Sequence, residues 1–131
     1  MEGSKHMYTV AVTRDLIARH FLIGGDWGDE TKAHRHEYKI EVILEGRRLD
    51  QHGYLVDICA IEAILDDQIN YYRNKVFNDL PEFKDLNPSI EHFSKIVCKT
   101  FVQRIQTPHL TAVMVKIWES ESAWAQYRDE F

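Results

Sequence analysis

"AHRHEYKIEVILEG", residues 33–46, anchors the reading of the fold. His34, His36, Tyr38, Ile40, Val42 and Leu44 fall on one side of this stretch, with Arg35, Glu37, Lys39 and Glu41 on the other. A period of two marks a strand, because successive side chains leave opposite faces of a pleated backbone. Gly46 centres the turn that ends it. The stretch also carries two histidines at i and i+2, so both imidazoles leave the strand on the same side.

Upstream, "YTVAVTRDLIARHFLI" is rich in β-branched and apolar residues and predicts a strand from Tyr8 to Phe21. Between the two lies "GGDWGDETK", whose glycines and acids predict a flexible loop. Downstream, "RRLDQHGYLVD" reads as a turn and a short extended piece leading into a helix. "DICAIEAILDDQINYYRNKV" places Ile58, Ile61, Ile64, Leu65, Ile69 and Tyr72 on one helical stripe. After the loop "FNDLPEFKDL", "NPSIEHFSKIVCKTFVQRI" predicts a second helix, with Asn87 as N-cap and Pro88 at the first helical position. Ile90, Phe93, Ile96, Val97 and Phe101 form its apolar face. "HLTAVMVKIWES" and "SAWAQYRDE" close the chain as a hairpin of two strands. The order ββααββ predicts an α+β fold: an antiparallel four-stranded sheet with two helices on one face. Such a sheet has open edges, which points to oligomerisation.

The 131 residues suffice for one domain with its own core. "MEGSKHM", residues 1–7, reads as a tag remnant or disordered tail ahead of a domain spanning residues 8–131. A net charge of −5 argues against broad binding to a nucleic-acid backbone. No apolar run reaches bilayer length, so no membrane partner is expected. Only two cysteines occur, Cys59 and Cys98, both in helical stretches, where they read as small core hydrophobes; this suits a reduced cytoplasmic protein.

Zinc favours neutral imidazole, and a catalytic zinc takes three protein ligands and keeps one position open. Histidines at i and i+2 of a strand lie roughly 6.6 to 7 Å apart and can lean toward one ion. If the first two strands pair antiparallel, His20 comes alongside as a third ligand. Spacing alone leaves a second reading open, in which His34 and His36 are simply polar residues at a strand's start.

The ordered motifs add to this. "DLIARH" (15–20), "HRHEY" (34–38), "GYLVD" (53–57), "FNDLP" (77–81), "NPSIE" (87–91) and "VKIWES" (115–120) together resemble the 6-pyruvoyl-tetrahydropterin synthase family, which includes the 6-carboxy-tetrahydropterin synthases. The resemblance runs from about Tyr8 to Tyr127. It implies a T-fold that oligomerises around a β-barrel as a trimer, tetramer or hexamer, with active sites between subunits. It implies zinc on His20, His34 and His36, a pterin as the small-molecule substrate, and Glu119 as the anchor of the pterin ring. Such an enzyme is a zinc-dependent lyase acting on the side chain of 7,8-dihydroneopterin triphosphate or a related pterin. A carboxylate accepting two parallel N–H bonds suits a 2-amino-4-oxo ring, although a solvated strand acid is the plainer reading of Glu119. Glu91 is a second ring-binding candidate, and a glutamate in a first helical turn also simply complements the helix dipole.

Two positions depart from the family's pattern. Where the best-known members place a cysteine as general base, four residues before the histidine pair, this chain has Glu30. A minority of relatives use glutamate there and resemble enzymes that cleave the side chain to 6-hydroxymethyl-dihydropterin for folate synthesis. Desolvation would raise the pKa of such a carboxylate and a nearby metal would lower it. Glu30 is also one of several acids in "GDWGDE", beside Asp26 and Asp29. The second departure is the family's Asp-His pair, replaced by Arg73 and Asn74, neither of which does acid–base work near neutral pH. His52, His92 and His109 are the histidines left to take its place. If none does, either the chemistry differs from the familiar reactions or the chain is an altered relative that binds a pterin or purine without the standard turnover. Lys32, Arg35 and Arg73 are the candidate cations for a triphosphate.

Overall fold

A computed structural model describes residues 6–131. The start of the expected tail, residues 1–5, lies outside the described residues, while His6 and Met7 precede the first strand. Four strands follow as β1 (Tyr8–His20), β2 (His34–Gly46), β3 (Leu110–Trp118) and β4 (Trp124–Glu130). Two helices, α1 (Ile58–Tyr72) and α2 (Ile90–Arg104), lie between β2 and β3 in the chain. The sheet order is β1-β2-β3-β4 with every neighbouring pair antiparallel. The expected ββααββ layer is therefore what forms.

Alternation decides which face the helices cover. Along β2, Tyr38, Ile40, Val42 and Leu44 are buried, while Arg35, Glu37 and Lys39 are exposed on the opposite face. α1 packs over β1, and α2 over β3 and β4. Ile61 and Leu65 of α1 and Phe93, Val97 and Phe101 of α2 share one buried cluster with Ile40, Val42 and Leu44, all with no solvent exposure. Each such side chain contributes about 1.5–3 kcal/mol relative to an exposed one. At the far end of β2 the pairing with β3 shifts between Glu45 and Gly46. A Cβ on Gly46 would collide with the His109 carbonyl oxygen and the Leu55 side chain, so only glycine lets the chains approach there.

Several local expectations are corrected. β1 ends at His20, one residue early. The helical stripe of α1 holds from Ile61 to Tyr72, whereas Ile58 is half exposed. Residues 73–76 leave the helix and run beside β1: the Asn74 amide donates to the Ile17 carbonyl, and the Arg19 amide to the Lys75 carbonyl. Asn74 takes the left-handed conformation, φ 59°, which asparagine tolerates better than most residues. α2 is capped by Ser89, whose hydroxyl accepts from the His92 amide, so Asn87 is not the N-cap. Cys98 is buried as expected, but Cys59 is exposed because it sits in the outward-facing first turn of α1.

Under the sheet's His20 end lies an aromatic cluster. Phe77 stacks on Phe83 at 4.9 Å and packs against Phe93 at 4.6 Å, with Tyr38 seated on Phe77 at 5.8 Å. Tyr38 thereby joins the rigid core to the polar groups above it.

Candidate functional site

The register of β1 and β2 sets His20 directly opposite His34, with His36 opposite Ala18. The three imidazoles crowd together: ring centroids are 4.7 Å apart for His20–His34, 4.0 Å for His20–His36 and 4.3 Å for His34–His36. Glu30, in a single 3-10 turn at Gly28–Thr31, completes the group. His20, Glu30, His34 and His36 each offer a ligand atom, and these atoms all lie within 4.8 Å of one another. Strand spacing supplied His34 and His36; only the pairing brings His20.

Burial, reinforced by His36 and His34, pushes the His20 pKa down to about 3. Burial and His34 lower His36 as well, against an opposing pull from Glu30. Neutral imidazole is the form that ligates a metal.

The tautomers can be read from the partners. His34 Nδ1 lies 2.9 Å from the Lys32 carbonyl oxygen, which can only accept, so Nδ1 carries a proton. His20 Nδ1 lies 2.8 Å from the Tyr38 hydroxyl, leaving its Nε2 free. The Nε2 atoms of His34 and His36 are buried with no hydrogen-bond partner. Glu30 Oε2 approaches His34 Nε2 to 2.8 Å, a close contact that lacks the direction of a hydrogen bond. Buried polar atoms without partners are rare in folded proteins. Two such imidazole nitrogens beside a carboxylate form a donor set that suits a zinc-like cation, with the remaining His20 and His34 nitrogens held by a hydroxyl and a carbonyl, as outer partners of metal ligands are.

Tyr38 connects this cluster to a cleft of about 690 Å³ lined by Asp15, Ile17, Glu37, Tyr38, Trp118 and Glu119 among others. That volume is within the range of small-molecule sites. Burial pushes the Tyr38 hydroxyl pKa up, and the charges of Glu119 and Glu30 reinforce it, so it stays a neutral phenol. Glu119 lies one residue past the end of β3, exposed, its amide donating to the Ala123 carbonyl of the β3–β4 turn.

Asn78, which sequence reasoning passed over, and Asn87, which it took for an N-cap, hold the loop carrying Glu30. Asn78 bonds both the amide and the carbonyl of Phe21, at 2.9 Å each. Asn87 does the same for Ile23, at 2.7 and 3.2 Å. The Leu22 amide, between them, donates to the Glu30 carbonyl at 2.7 Å. The signal was present, since these are the asparagines of the "FNDLP" and "NPSIE" motifs, but its meaning needs the partner strand.

The sequence model of the family described as 6-pyruvoyl tetrahydropterin synthase matches residues 9–130. This chain belongs to that family. A 6-carboxy-5,6,7,8-tetrahydropterin synthase of Bacillus subtilis is 23% identical, over 95% of this chain and 89% of the relative. Among solved structures, the 6-pyruvoyl tetrahydropterin synthase of Plasmodium vivax superposes with a TM-score of 0.80 at 13% identity, covering 97% of this chain and all of the other. The Caenorhabditis elegans enzyme gives 0.77 at 18% identity, over 95% and 96% of the two chains. A further P. vivax structure, TM-score 0.78 at 14% identity and covering 97% and 100%, is of a mutant whose catalytic glutamate is changed to cysteine.

Within this family's framework the remaining candidates divide clearly. Arg73 caps the end of α1, and Asn74 spends its amide on β1. His109 lies next to the β3 start opposite Gly46, roughly 40 Å along β2 from His34 by strand rise. His52, in an exposed turn with Asp50, belongs to that same distant end. His92 bonds the Asn87 carbonyl at 2.7 Å and lines a separate recess along α2. Glu91 is exposed in the first turn of α2 and does not line the cleft. Arg35 pairs with Glu37 at 3.2 Å on the sheet face opposite the histidines.

Proposed function

We propose that this chain is a zinc-dependent lyase acting on the side chain of 7,8-dihydroneopterin triphosphate or a related pterin. One observation carries the reading: three histidines and Glu30 converge, with two buried imidazole nitrogens lacking any hydrogen-bond partner, and Tyr38, bonded to His20, lines the neighbouring cleft. His20, His34 and His36 would hold the metal. Bound zinc polarises side-chain oxygens and makes the adjacent C–H bonds more acidic. Glu30 takes the proton from the side-chain carbon as general base, a role supported by the catalytic glutamate of the P. vivax relative. Glu119, at the cleft wall, accepts the ring's amino and N–H groups. Glu91 is the second candidate for ring binding, set against its favourable place at a helix N-terminus. The edge of β4, and that of β1 ahead of Ile17, favour a homo-oligomer that closes the sheet into a barrel and places sites between subunits.

The test incubates the zinc-loaded protein with 7,8-dihydroneopterin triphosphate and follows products by mass spectrometry. A pterin with a shortened or rearranged side chain is expected. At saturating zinc, Glu30→Gln should lower turnover about 10²–10⁴-fold, and undiminished turnover would remove Glu30 from the role of base. Arg73 and Asn74, standing where relatives carry an Asp-His pair, favour a second reading in which the chain binds a pterin or purine without turning it over. Ring binding with no new product would establish that reading instead.

A further inference from the structure

The contact between Glu30 and His34 is unusual in its chemistry. His34 Nδ1 gives its proton to the Lys32 carbonyl, which in the neutral ring leaves Nε2 as a bare lone pair. That nitrogen lies 2.8 Å from a carboxylate oxygen that stands off its hydrogen-bonding direction, and no hydrogen bond links them. A cation lying against both atoms would hold them this close. His36 Nε2 is equally unpartnered, and His36 and His20 each offer a ligand atom within 4.8 Å of a Glu30 carboxylate oxygen. The carboxylate is thus one member of a four-atom donor set.

The backbone beneath Glu30 is fixed while its side chain is free to turn. The Glu30 carbonyl accepts from the Leu22 amide at 2.7 Å, the Lys32 amide donates to the Asp29 carbonyl at 3.1 Å, and Thr31 Oγ1 donates to the Gly28 carbonyl at 2.7 Å. The Glu30 side chain nonetheless keeps 50% of its exposure. A rotation about its own bonds is enough to move the carboxylate off the histidines, with no rearrangement of the loop.

We infer that Glu30 is the fourth metal ligand of the substrate-free protein, and that an incoming pterin side chain displaces it, so one carboxylate serves first as ligand and then as base. Occupying the open position protects the ion from adventitious anions, and releasing it delivers the base beside the carbon it must deprotonate. The inference rests on the metal reading proposed above.

Cobalt(II) titrated into metal-free protein tests it, read by visible absorption and by competition with a chelator. Wild-type protein should give the bands of four-coordinate cobalt. Glu30→Gln and Glu30→Ala should change those bands and weaken metal binding about tenfold or more. Adding 7,8-dihydroneopterin to the wild type should move its spectrum, while the same addition should move that of Glu30→Ala far less. Identical spectra and affinities for wild type and both variants would overturn the inference, leaving the Glu30–His34 contact as an ion pair. His36→Ala separates the two levels. If it loses cobalt while the Glu30 variants match wild type, the histidine site stands and only the fourth ligand falls. If it binds cobalt as wild type does, both fall.

Discussion

The two halves of β2 share one strand and one face, and they do opposite things. From Ile40 to Leu44 the inward side chains are aliphatic, without solvent exposure, and satisfied by packing alone. From His34 to Tyr38 the same face carries imidazoles and a phenol, with two ring nitrogens left unpartnered. Packing density explains the first half completely. It does not explain the second, where burial without a partner costs free energy that a bound cation would recover. A strand can be core and site at once because its period is blind to what the inward residue is.

The sharpest way to break this comparison is to cut one residue from each half. His36→Ala should bring metal content to background by elemental analysis while far-UV dichroism stays native. Leu44→Ala should cost about 2–5 kcal/mol in denaturant unfolding, with metal content per folded molecule unchanged. If the two variants exchange these outcomes, the division of the strand is wrong. Tyr38→Phe sits at the boundary. Removing the hydroxyl that holds His20 Nδ1 should weaken zinc binding about 10–100-fold with only a minor loss of stability, and a large stability loss with unchanged affinity would move Tyr38 into the core half. The smallest effect is expected of Asn87→Ala. It deletes the two bonds to Ile23 and should cost about 1–2 kcal/mol. Its further effect should be on turnover, through a loosened Glu30 loop, more than on metal content.

Much of the architecture was legible because it is periodic. The two long strands, both helices and the closing hairpin follow from alternation and from 3.6-residue stripes, and their order prescribes the antiparallel layer. Errors gathered at element ends. Asn87 resembled an N-cap because the type and spacing were right, yet Ser89 was nearer the helix and Ile23 offered Asn87 two backbone partners. Cys59 and Ile58 looked interior because a helical stripe does not reveal that the first turn of α1 is left exposed. In the site, His34 and His36 were legible from local geometry, and Glu119 from its motif. The clamps at Asn78 and Asn87 were not, since each joins residues more than fifty positions apart in the chain.

By itself, then, the sequence determined the order of elements, the shared face of His34 and His36, and the presence of a carboxylate four residues ahead of His34. Those are properties of spacing and residue type. Tertiary structure alone decided that His20 stands opposite His34, that Glu30 meets the histidines, and that His52 and His109 lie at the far end of the sheet. Convergence of this kind depends on strand register and loop closure, which act between residues that the chain keeps apart.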